Sequence, residues 1–308
     1  VCVSLPYGRN AAAGAIVLQT LKPGEVFEGA LKASYAEENT WQTTGHISGP
    51  IGEGLGFVLS GFYRKTDGFY RNSFLTDTKS VDNQEVWAYL GLCWRLIADP
   101  QQHWLNNYQQ LISVKKLPAP PGYSSFAVFW QELKAAVKSL HTTEQQPLDQ
   151  SVRNGTQTVG FLFNNPAKVI QDYRQLLTEH LQQYLAALPQ DPEHPLLRRI
   201  APAFRFSGCW SVKLNGDGFH TNHVHPQGWL SVCTYLQVPD SITAEDPLQR
   251  GWLKLGETSL KLDGREEIAQ SICPEEGLCV IFPSYIWHGT VPFQGDDARI
   301  TLPCDVVP

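Results

Sequence analysis

The histidines are the residues of this sequence whose type and spacing point most directly to chemistry. Three of the nine, His220, His223 and His225, lie in the phrase GFHTNHVHPQGWLS, and His288 lies in FPSYIWHGTVPF. Residues i and i+2 of a β-strand project from the same face, so His223 and His225 could offer both imidazoles to one metal ion. His288 would then be a distant third ligand. Hydrogen-bonded or solvated loop histidines are the alternative that an H-x-H pair leaves open.

A second polar pair follows these histidines. Arg299 lies eleven residues beyond His288, and Thr301 is two further on, on the same face of a predicted final strand. A guanidinium and a hydroxyl that point into a barrel are costly to bury without a partner, and a bound carboxylate would satisfy them. A structural salt bridge between Arg299 and a surface acid is the alternative.

The last hundred residues predict the strands that would bring these side chains together. Short apolar stretches alternate with Gly and Pro, which is typical of a double-sheet roll or sandwich. The predicted strands are Phe204 to Leu214, Trp229 to Val238, Gly251 to Leu255, Gly277 to Phe282 and Ala298 to Val306.

Residues 99 to 200 have the apolar spacing of helices instead of strands. Apolar residues at three- and four-residue steps predict helices over residues 99–117, 123–141 and 166–188. The third helix has an N-cap signal in Asn164-Asn165-Pro166, and its predicted buried face is Val169, Ile170, Tyr173, Leu176, Leu177, Leu181 and Tyr184.

Residues 1 to 98 have a different pattern of apolar residues. From Phe27 to Leu96 apolar and polar residues alternate with period two, which predicts an antiparallel β-meander of four strands. The fourth of these covers Glu85 to Leu96, with Val86, Ala88, Leu90, Leu92, Trp94 and Leu96 on one face. Such a small sheet, with an open edge and an apolar face, is expected to self-associate or aggregate.

Composition excludes some classes of protein. The chain has 308 residues, 42% of them hydrophobic, and the longest apolar run, Ala11 to Leu18, is too short for a membrane-spanning helix. The net charge is −6 and no run of Lys or Arg reaches five, so nucleic acid is a poor partner. The absence of Met and a start at Val1 predict a processed or truncated N-terminus.

Cysteines and tryptophans recur in the predicted strands. Seven cysteines at irregular spacing, without a C-x-x-C pair, argue against a disulfide framework or a zinc knuckle and favour a reducing compartment. Four of them are expected to be small core residues: Cys209, Cys233, Cys279 and Cys304. Four tryptophans either belong to the core or line a substrate mouth: Trp210, Trp229, Trp252 and Trp287.

The phrases around the histidines resemble a known enzyme family. The stretches from Gln146 to Pro166, Arg205 to Pro239 and Gly251 to Glu257, and PEEGLCVIFPSYIWHGTVPF followed by ARITLPCDVVP, are similar to iron(II)- and 2-oxoglutarate-dependent oxygenases. The resemblance spans roughly residues 99 to 308. It implies a double-stranded β-helix, or jelly roll, preceded by a helical segment.

The same resemblance implies roles for individual residues. His223 and His288 would hold iron(II), and Arg299, assisted by Thr301, would hold the far carboxylate of the cosubstrate 2-oxoglutarate. Tyr235 is a further candidate for the cosubstrate. With O2, such an enzyme converts 2-oxoglutarate to succinate and hydroxylates a C–H bond of a small molecule or a protein side chain.

The sequence departs from the family's usual H-x-Asp/Glu…H motif because His225 stands where the acid would be. We expect His225 to be the third ligand, which gives an all-imidazole site. The alternative is an acid from elsewhere, Asp217 or Asp305. Without a carboxylate ligand, the ion's charge of +2 would attract dianionic 2-oxoglutarate more strongly, while iron would be held less tightly or exchanged for zinc.

Residues 1 to 98 resemble a fragment of a different family. YGRNAAAGAIVLQTLKP (Tyr7 to Pro23) is similar to the end of the plug domain of TonB-dependent outer-membrane receptors. TTGHISGPIGEGLGFVLSGFYRKTDGFYRNSF (Thr43 to Phe74) is similar to their first barrel strands. The chain is therefore predicted to be a fusion or a chimaera of two parts, residues 1–98 and 99–308.

Three functions are consistent with these features. The first is a cytoplasmic iron(II)- and 2-oxoglutarate-dependent hydroxylase, because iron(II) and a metabolic keto acid are both found in the cytoplasm. The second is a jelly-roll module that binds a metal or a ligand without turnover. The third is a remnant of an outer-membrane receptor, which disagrees with the setting that the oxygenase half requires.

Overall fold

The computed structural model describes residues 24–36, 40–52, 55–65, 83–142, 151–201 and 203–308. The chain divides into two compact units, Val1–Val81 and Asp82–Pro308. Tyr7 to Pro23, the first phrase with a receptor resemblance, lies outside the described residues.

The first unit contains a three-stranded antiparallel sheet. Its strands are β1 (Glu28–Ala36), β2 (Thr40–Gly52) and β3 (Leu55–Lys65), in the order β1-β2-β3. The meander is therefore confirmed for three strands. Large apolar side chains are exposed on this sheet, among them Leu31, Leu59 and Phe62.

The predicted fourth strand is wrong, because Gln84–Leu96 forms a helix, α1. The Asn83 side chain caps it by accepting a hydrogen bond from the Glu85 N–H at 2.9 Å. The buried positions are Gln84, Ala88, Gly91 and Leu92, a spacing of four, seven and eight residues. The sequence fits both periods, but burial follows the helical one. This helix belongs to the second unit.

The segment between α1 and the main sheet is mostly helical, as predicted, with two corrections. The first predicted helix is instead α2 (Gln101–Leu105), α3 (Tyr108–Leu111) and a strand, β4 (Ser113–Lys116). The next two elements are α4 (Phe126–Lys138) and a strand that the sequence did not predict, β5 (Val152–Gln157).

The third predicted helix is α5 (Lys168–Ala187). It begins two residues after the predicted cap, and the Asn165 side chain accepts a hydrogen bond from the Ala167 N–H at 2.9 Å. The predicted buried face is confirmed, with His180 and Leu185 in addition.

The remaining chain forms two sheets. The strands are β6 (Arg205–Cys209), β7 (Val212–His220), β8 (Leu230–Gln237), β9 (Leu253–Leu255), β10 (Gln270–Ile272), β11 (Leu278–Pro283), β12 (His288–Thr290) and β13 (Arg299–Val307). The larger sheet has the order β4-β11-β8-β13-β7-β5, with β6 also paired to β13, and the smaller one has the order β10-β9-β12. All pairs are antiparallel, which gives the double-stranded β-helix that the sequence predicts.

The predicted strand over residues 204–214 is interrupted. β6 ends at Cys209 and β7 begins at Val212, and both pair with β13. The Trp210 N–H donates to the carbonyl of Pro303 at 3.1 Å between the two strands.

The two faces of β13 have different neighbours. Cys304 lies directly opposite Cys209 and close to Tyr173 of α5, so this face meets the helical layer. Residues of the other parity, Arg299, Thr301 and Asp305, share the opposite face. Three of the four cysteines predicted as core, Cys209, Cys279 and Cys304, are buried in the large apolar cluster that α4 and α5 complete.

None of the helices within the described ranges is long and apolar enough to span a membrane.

The helical assignment of α1 predicts unequal effects of two substitutions. Leu92, 6% exposed, should lower the free energy of unfolding by about 2–4 kcal/mol when changed to Ala, whereas Val86→Ala, at a position 61% exposed, should change it by less than about 0.5 kcal/mol. In a strand the two residues would share a face, so equal effects in urea denaturation would contradict the helix.

A half-buried histidine, His141, predicts loss of stability in acid. The His141 ring lies 3.1 Å from Thr156 Oγ1 and 2.9 Å from Ser211 Oγ. Burial, and then the charge of Lys213, lowers its pKa from 6.5 to about 4. As the pH falls from 6.5 towards 4, the unfolded chain binds a proton at His141 and the folded chain does not. The contribution of His141 to the free energy of unfolding is therefore complete above pH 6.5 and is lost through that range.

The comparison of wild type with His141→Gln tests this effect. His141 is only part-buried, so solvent screens some of the effect, and between pH 7 and pH 5 the wild type should lose about 1 kcal/mol more unfolding free energy than the variant. Urea denaturation at the two pH values measures the difference. Equal losses would mean that His141 titrates in the folded protein as it does in the unfolded chain.

Candidate metal centre

Backbone hydrogen bonds bring the distant histidines together. The His223 N–H donates to the His288 carbonyl at 2.9 Å, and the His288 N–H donates to the His223 carbonyl at 3.0 Å. The His225 N–H donates to the carbonyl of Ser284 at 3.0 Å. His223 and His225 therefore lie just after β7, in an isolated bridge and the residues that follow it, and the prediction that they lie on a regular strand is wrong.

Hydrogen bonds at Nδ1 fix the orientation of all three rings. The partners are the carbonyl of Thr221 for His223 at 2.7 Å, the carbonyl of Ile286 for His288 at 3.0 Å, and Asp305 Oδ1 for His225 at 2.5 Å. A carbonyl oxygen only accepts, so Nδ1 of His223 and of His288 carries the proton. The Nε2 lone pairs of these two rings are therefore free.

The three Nε2 sides converge. Nε2 of His223 lies 3.3 Å from Nε2 of His225, and the possible ligand atoms of the three histidines all lie within 4.8 Å of one another. The ring centroid of His288 lies 4.2 Å from that of His223 and 5.1 Å from that of His225. This is a set of three imidazoles that one cation can bridge.

Burial keeps the rings of His223 and His288 neutral. It lowers the pKa of His223 to about 4, with the nearby His225 as the second cause, and it lowers the pKa of His288 well below the usual value. A neutral imidazole has a lone pair to offer, so the site is prepared for a cation at neutral pH.

The two acids that the sequence offered as alternative ligands lie elsewhere. Asp217 is an exposed residue of β7 with a φ of 65°, and it is not part of the converging group. Asp305 contacts the ring nitrogen of His225 that faces away from the other imidazoles. It therefore lies behind a candidate ligand and outside the converging group. The sequence named it only as a possible direct ligand, although its parity with Arg299 and Thr301 could have indicated the shared face.

Arg299 is a buried cation with an unused donor. It is 1% exposed, and its Nε has no hydrogen-bond partner. Its guanidinium carbon lies 4.9 Å from the ring centroid of Tyr235, and the Tyr235 hydroxyl is also buried without a partner. Within the described ranges no carboxylate forms a salt bridge with Arg299, so no partner for the alternative ion pair is found there.

Strand pairing places the predicted cosubstrate residues side by side. Thr301 is opposite Tyr235 on β8 and opposite Val212 on β7, and Arg299 is opposite Leu214. Thr301 is 2% exposed. Arg299, Thr301 and Tyr235 thus form one buried polar patch on the face of β13 that also carries Asp305.

His220 lies beside the three converging histidines but is not one of them. Its ring is nearly parallel to that of His223, with centroids 6.0 Å apart, and its Nδ1 lies 3.0 Å from Ser151 Oγ. Burial lowers its pKa well below the usual value, and the neighbouring His223 and Arg299 add to this effect.

Aromatic residues enclose the imidazoles. Phe282 packs edge-on against His288, with centroids 4.8 Å apart, and the Trp210 ring is parallel to that of His225 at 6.4 Å. Of the four tryptophans, Trp229 is a core residue whose Nε1 donates to the Leu196 carbonyl at 3.1 Å.

Gly289 allows the chain next to His288 to approach the chain next to His223. A Cβ at this glycine would lie 2.3 Å from Asn222 Oδ1. The Asn222 side chain is held in turn by Glu257 Oε2 at 2.9 Å and the Thr258 carbonyl at 3.0 Å.

The fold and the site together are those of a double-stranded β-helix with a three-histidine centre. Residues 208–305 match the family model described as "Putative 2OG-Fe(II) oxygenase". This segment contains all three histidines, Arg299 and Asp305. The match does not extend to residues 1–98, so their receptor resemblance and the idea of a fusion stay predictions.

Solved structures with a similar fold are distant in sequence. A prolyl-4-hydroxylase of Pseudomonas putida is 17% identical, with 65% of this chain and 94% of that chain covered and a TM-score of 0.40. A prolyl hydroxylase of Trichoplax adhaerens, in complex with a hypoxia inducible factor peptide, is 12% identical (69% and 92% covered, TM-score 0.43). HygX of Streptomyces hygroscopicus, with nickel, 2-oxoglutarate and hygromycin B bound, is 9% identical (68% and 87% covered, TM-score 0.43).

The converging imidazoles predict one metal site per chain. Titration with Co(II) should give one equivalent bound, and His223→Ala should weaken binding at least about a hundredfold, because even the loss of a partner behind a ligand costs about 10–100-fold. His103→Ala, at an exposed histidine of α2, is the matched control. Equal affinities for the two variants would contradict this site.

Proposed function

We propose that this protein is an iron(II)- and 2-oxoglutarate-dependent dioxygenase that hydroxylates a small molecule or a protein side chain with O2. One observation carries the proposal: three imidazoles converge through Nε2, and a buried guanidinium with an unused donor lies on the sheet face that backs them. The family match over residues 208–305 supports the same conclusion.

The donor set fits iron(II). His223, His225 and His288 would hold the ion with three nitrogen ligands, and imidazole suits iron. Three protein ligands leave further coordination positions for a cosubstrate and oxygen. When bound, the metal and 2-oxoglutarate supply the oxidising chemistry, in which decarboxylation to succinate accompanies hydroxylation of the substrate.

The buried polar patch fits the far carboxylate of 2-oxoglutarate. Arg299 would donate a charge-assisted hydrogen bond to it through the free Nε. The Tyr235 hydroxyl is a second unused donor beside the guanidinium, and Thr301 supplies a third polar group from the same strand face. A carboxylate in this place would satisfy buried groups that are otherwise costly.

The surrounding side chains orient and protect the site. The Nδ1 hydrogen bonds to Thr221, Ile286 and Asp305 hold each imidazole with Nε2 inward, so no rearrangement is needed when a cation enters. Phe282 covers one side of His288 and excludes water there.

We further propose a cytoplasmic location. The cysteines Cys93, Cys209, Cys233, Cys273, Cys279 and Cys304 are all free thiols, which fits a reducing compartment. Iron(II) and a keto acid of central metabolism are available there as well.

The proposal predicts oxygen-dependent release of succinate from 2-oxoglutarate by the iron-loaded protein. His223→Ala should abolish it, and Arg299→Gln should raise the Kd for 2-oxoglutarate at least about tenfold, because a charge-assisted bond is lost. Tyr235→Phe, which retains the ring, should raise that Kd only a few-fold. Anaerobic calorimetry measures the Kd, and product analysis measures succinate.

Circular dichroism of each variant shows whether it is folded, and His103→Ala serves as the unaffected control. A protein that binds iron and 2-oxoglutarate but consumes no oxygen with any substrate would be a binding module, and the proposed activity would be wrong. Unchanged affinity in both Arg299→Gln and Tyr235→Phe would move the cosubstrate site elsewhere.

A further inference from the structure

The three imidazoles differ in what lies behind them. His223 and His288 each donate through Nδ1 to a neutral backbone carbonyl. His225 alone faces a carboxylate, Asp305 Oδ1, at 2.5 Å. His225 is also the residue that stands where the family's usual motif has an acid.

Strand pairing in the larger sheet places the Asp305 carboxylate close to the His225 ring. Asp305 lies on β13 opposite Ser231 of β8 and Gly208 of β6, and the pairing of β13 with β6 shifts register between Asp305 and Val306. The extra residue of this bulge, Ser207, lies in β6, whereas the pairing of β13 with β8 is regular at Asp305. Asp305 and His225 are both mostly covered, with side-chain exposures of 22% and 17%.

Gly208 and Trp210 shape the other side of the pair. A Cβ on Gly208 would lie 2.9 Å from the Trp210 ring, so the glycine lets that ring pack down on the sheet. The Trp210 ring then runs parallel to the His225 ring, 13° from coplanar orientation. The His225 ring thus has the parallel Trp210 ring at a centroid distance of 6.4 Å and the Asp305 carboxylate at Nδ1, while its Nε2 lies 3.3 Å from that of His223.

We propose that Asp305 is a positioning residue that returns to the metal, through His225, the negative charge that the all-imidazole ligand set lacks. A carboxylate that accepts from Nδ1–H fixes the tautomer and makes the imidazole a more basic ligand. It also lies near enough to offset part of the ion's charge of +2. The inference rests on the proposed function for the presence of the metal.

The role predicts opposite effects on two ligands. Asp305→Asn keeps a side chain of the same shape but loses the charge, so Co(II) affinity, measured by competition with a chelator, should fall about 10-fold or more. The Co(II)-loaded variant should bind dianionic 2-oxoglutarate a few-fold more tightly than wild type, because less negative charge opposes it. Asp217→Asn, at an exposed acid outside the site, should change neither affinity.

A second variant separates this role from simple packing. His225→Asp creates the H-x-Asp…H pattern and supplies a carboxylate ligand directly. In that background Asp305→Asn should leave Co(II) affinity unchanged or increase it, because two carboxylates would otherwise repel each other. The same loss in both backgrounds would mean that Asp305 only supports the fold, and the inference would be wrong.

The outcomes also distinguish this inference from the proposed function. Wild-type protein that binds no Co(II) would overturn both. Wild-type protein that binds Co(II) and 2-oxoglutarate, with affinities that Asp305→Asn does not change, would overturn the role of Asp305 alone and leave the proposed function standing.

Discussion

The site depends on a pair of backbone hydrogen bonds between His223 and His288. These two residues are far apart in sequence, and only the reciprocal N–H to carbonyl bonds at 2.9 and 3.0 Å bring their rings to one place. The bridge joins the segment after the large sheet's β7 to β12 of the small sheet. Because the bonds are made by the main chain, the position of the candidate metal centre depends on the fold more than on the imidazole side chains.

The charged side chains Arg299 and Asp305 lie outside the group of three converging imidazoles. Burial lowers the pKa of His223 and of His288, and the guanidinium of Arg299 lies on β13 beside Tyr235. The carboxylate of Asp305 stands behind one imidazole rather than among the ligands. In the proposed function, the carboxylate of Asp305 would therefore reach the ion only through the His225 ring.

Much of this could be predicted from the sequence. β8, β9, β11 and β13 follow apolar stretches between Gly and Pro, and α5 follows a strict helical period, so these elements were predicted. His223, His225, His288 and Arg299 were predicted as site residues from spacing and from family resemblance, and the structure brings the three histidines together. Residues 84–96 were mistaken for a strand because their apolar residues satisfy both periods, and only tertiary burial of Ala88 and Leu92 decides between them.

The sequence does not predict which groups orient the three imidazoles. The carbonyls of Thr221 and Ile286 that orient two imidazoles belong to the main chain, so no residue type announces them. Asp305 was visible only as a possible ligand, since the ring nitrogen that it contacts depends on the register of β13. β4 and β10 are three or four residues long and pair with distant strands, so local pattern carries little information about them.

The alternation along β13 has a consequence for how such a protein can diverge. Arg299, Thr301 and Asp305 lie on the face of the proposed site, while Ile300, Leu302, Cys304 and Val306 are buried among apolar residues of the core. Substitutions at the even-numbered positions can change the packing of β13 against the helices without changing the side chains of the proposed site. Residues of the proposed site and residues of the apolar core thus alternate along one strand. Selection can act on each set almost independently of the other.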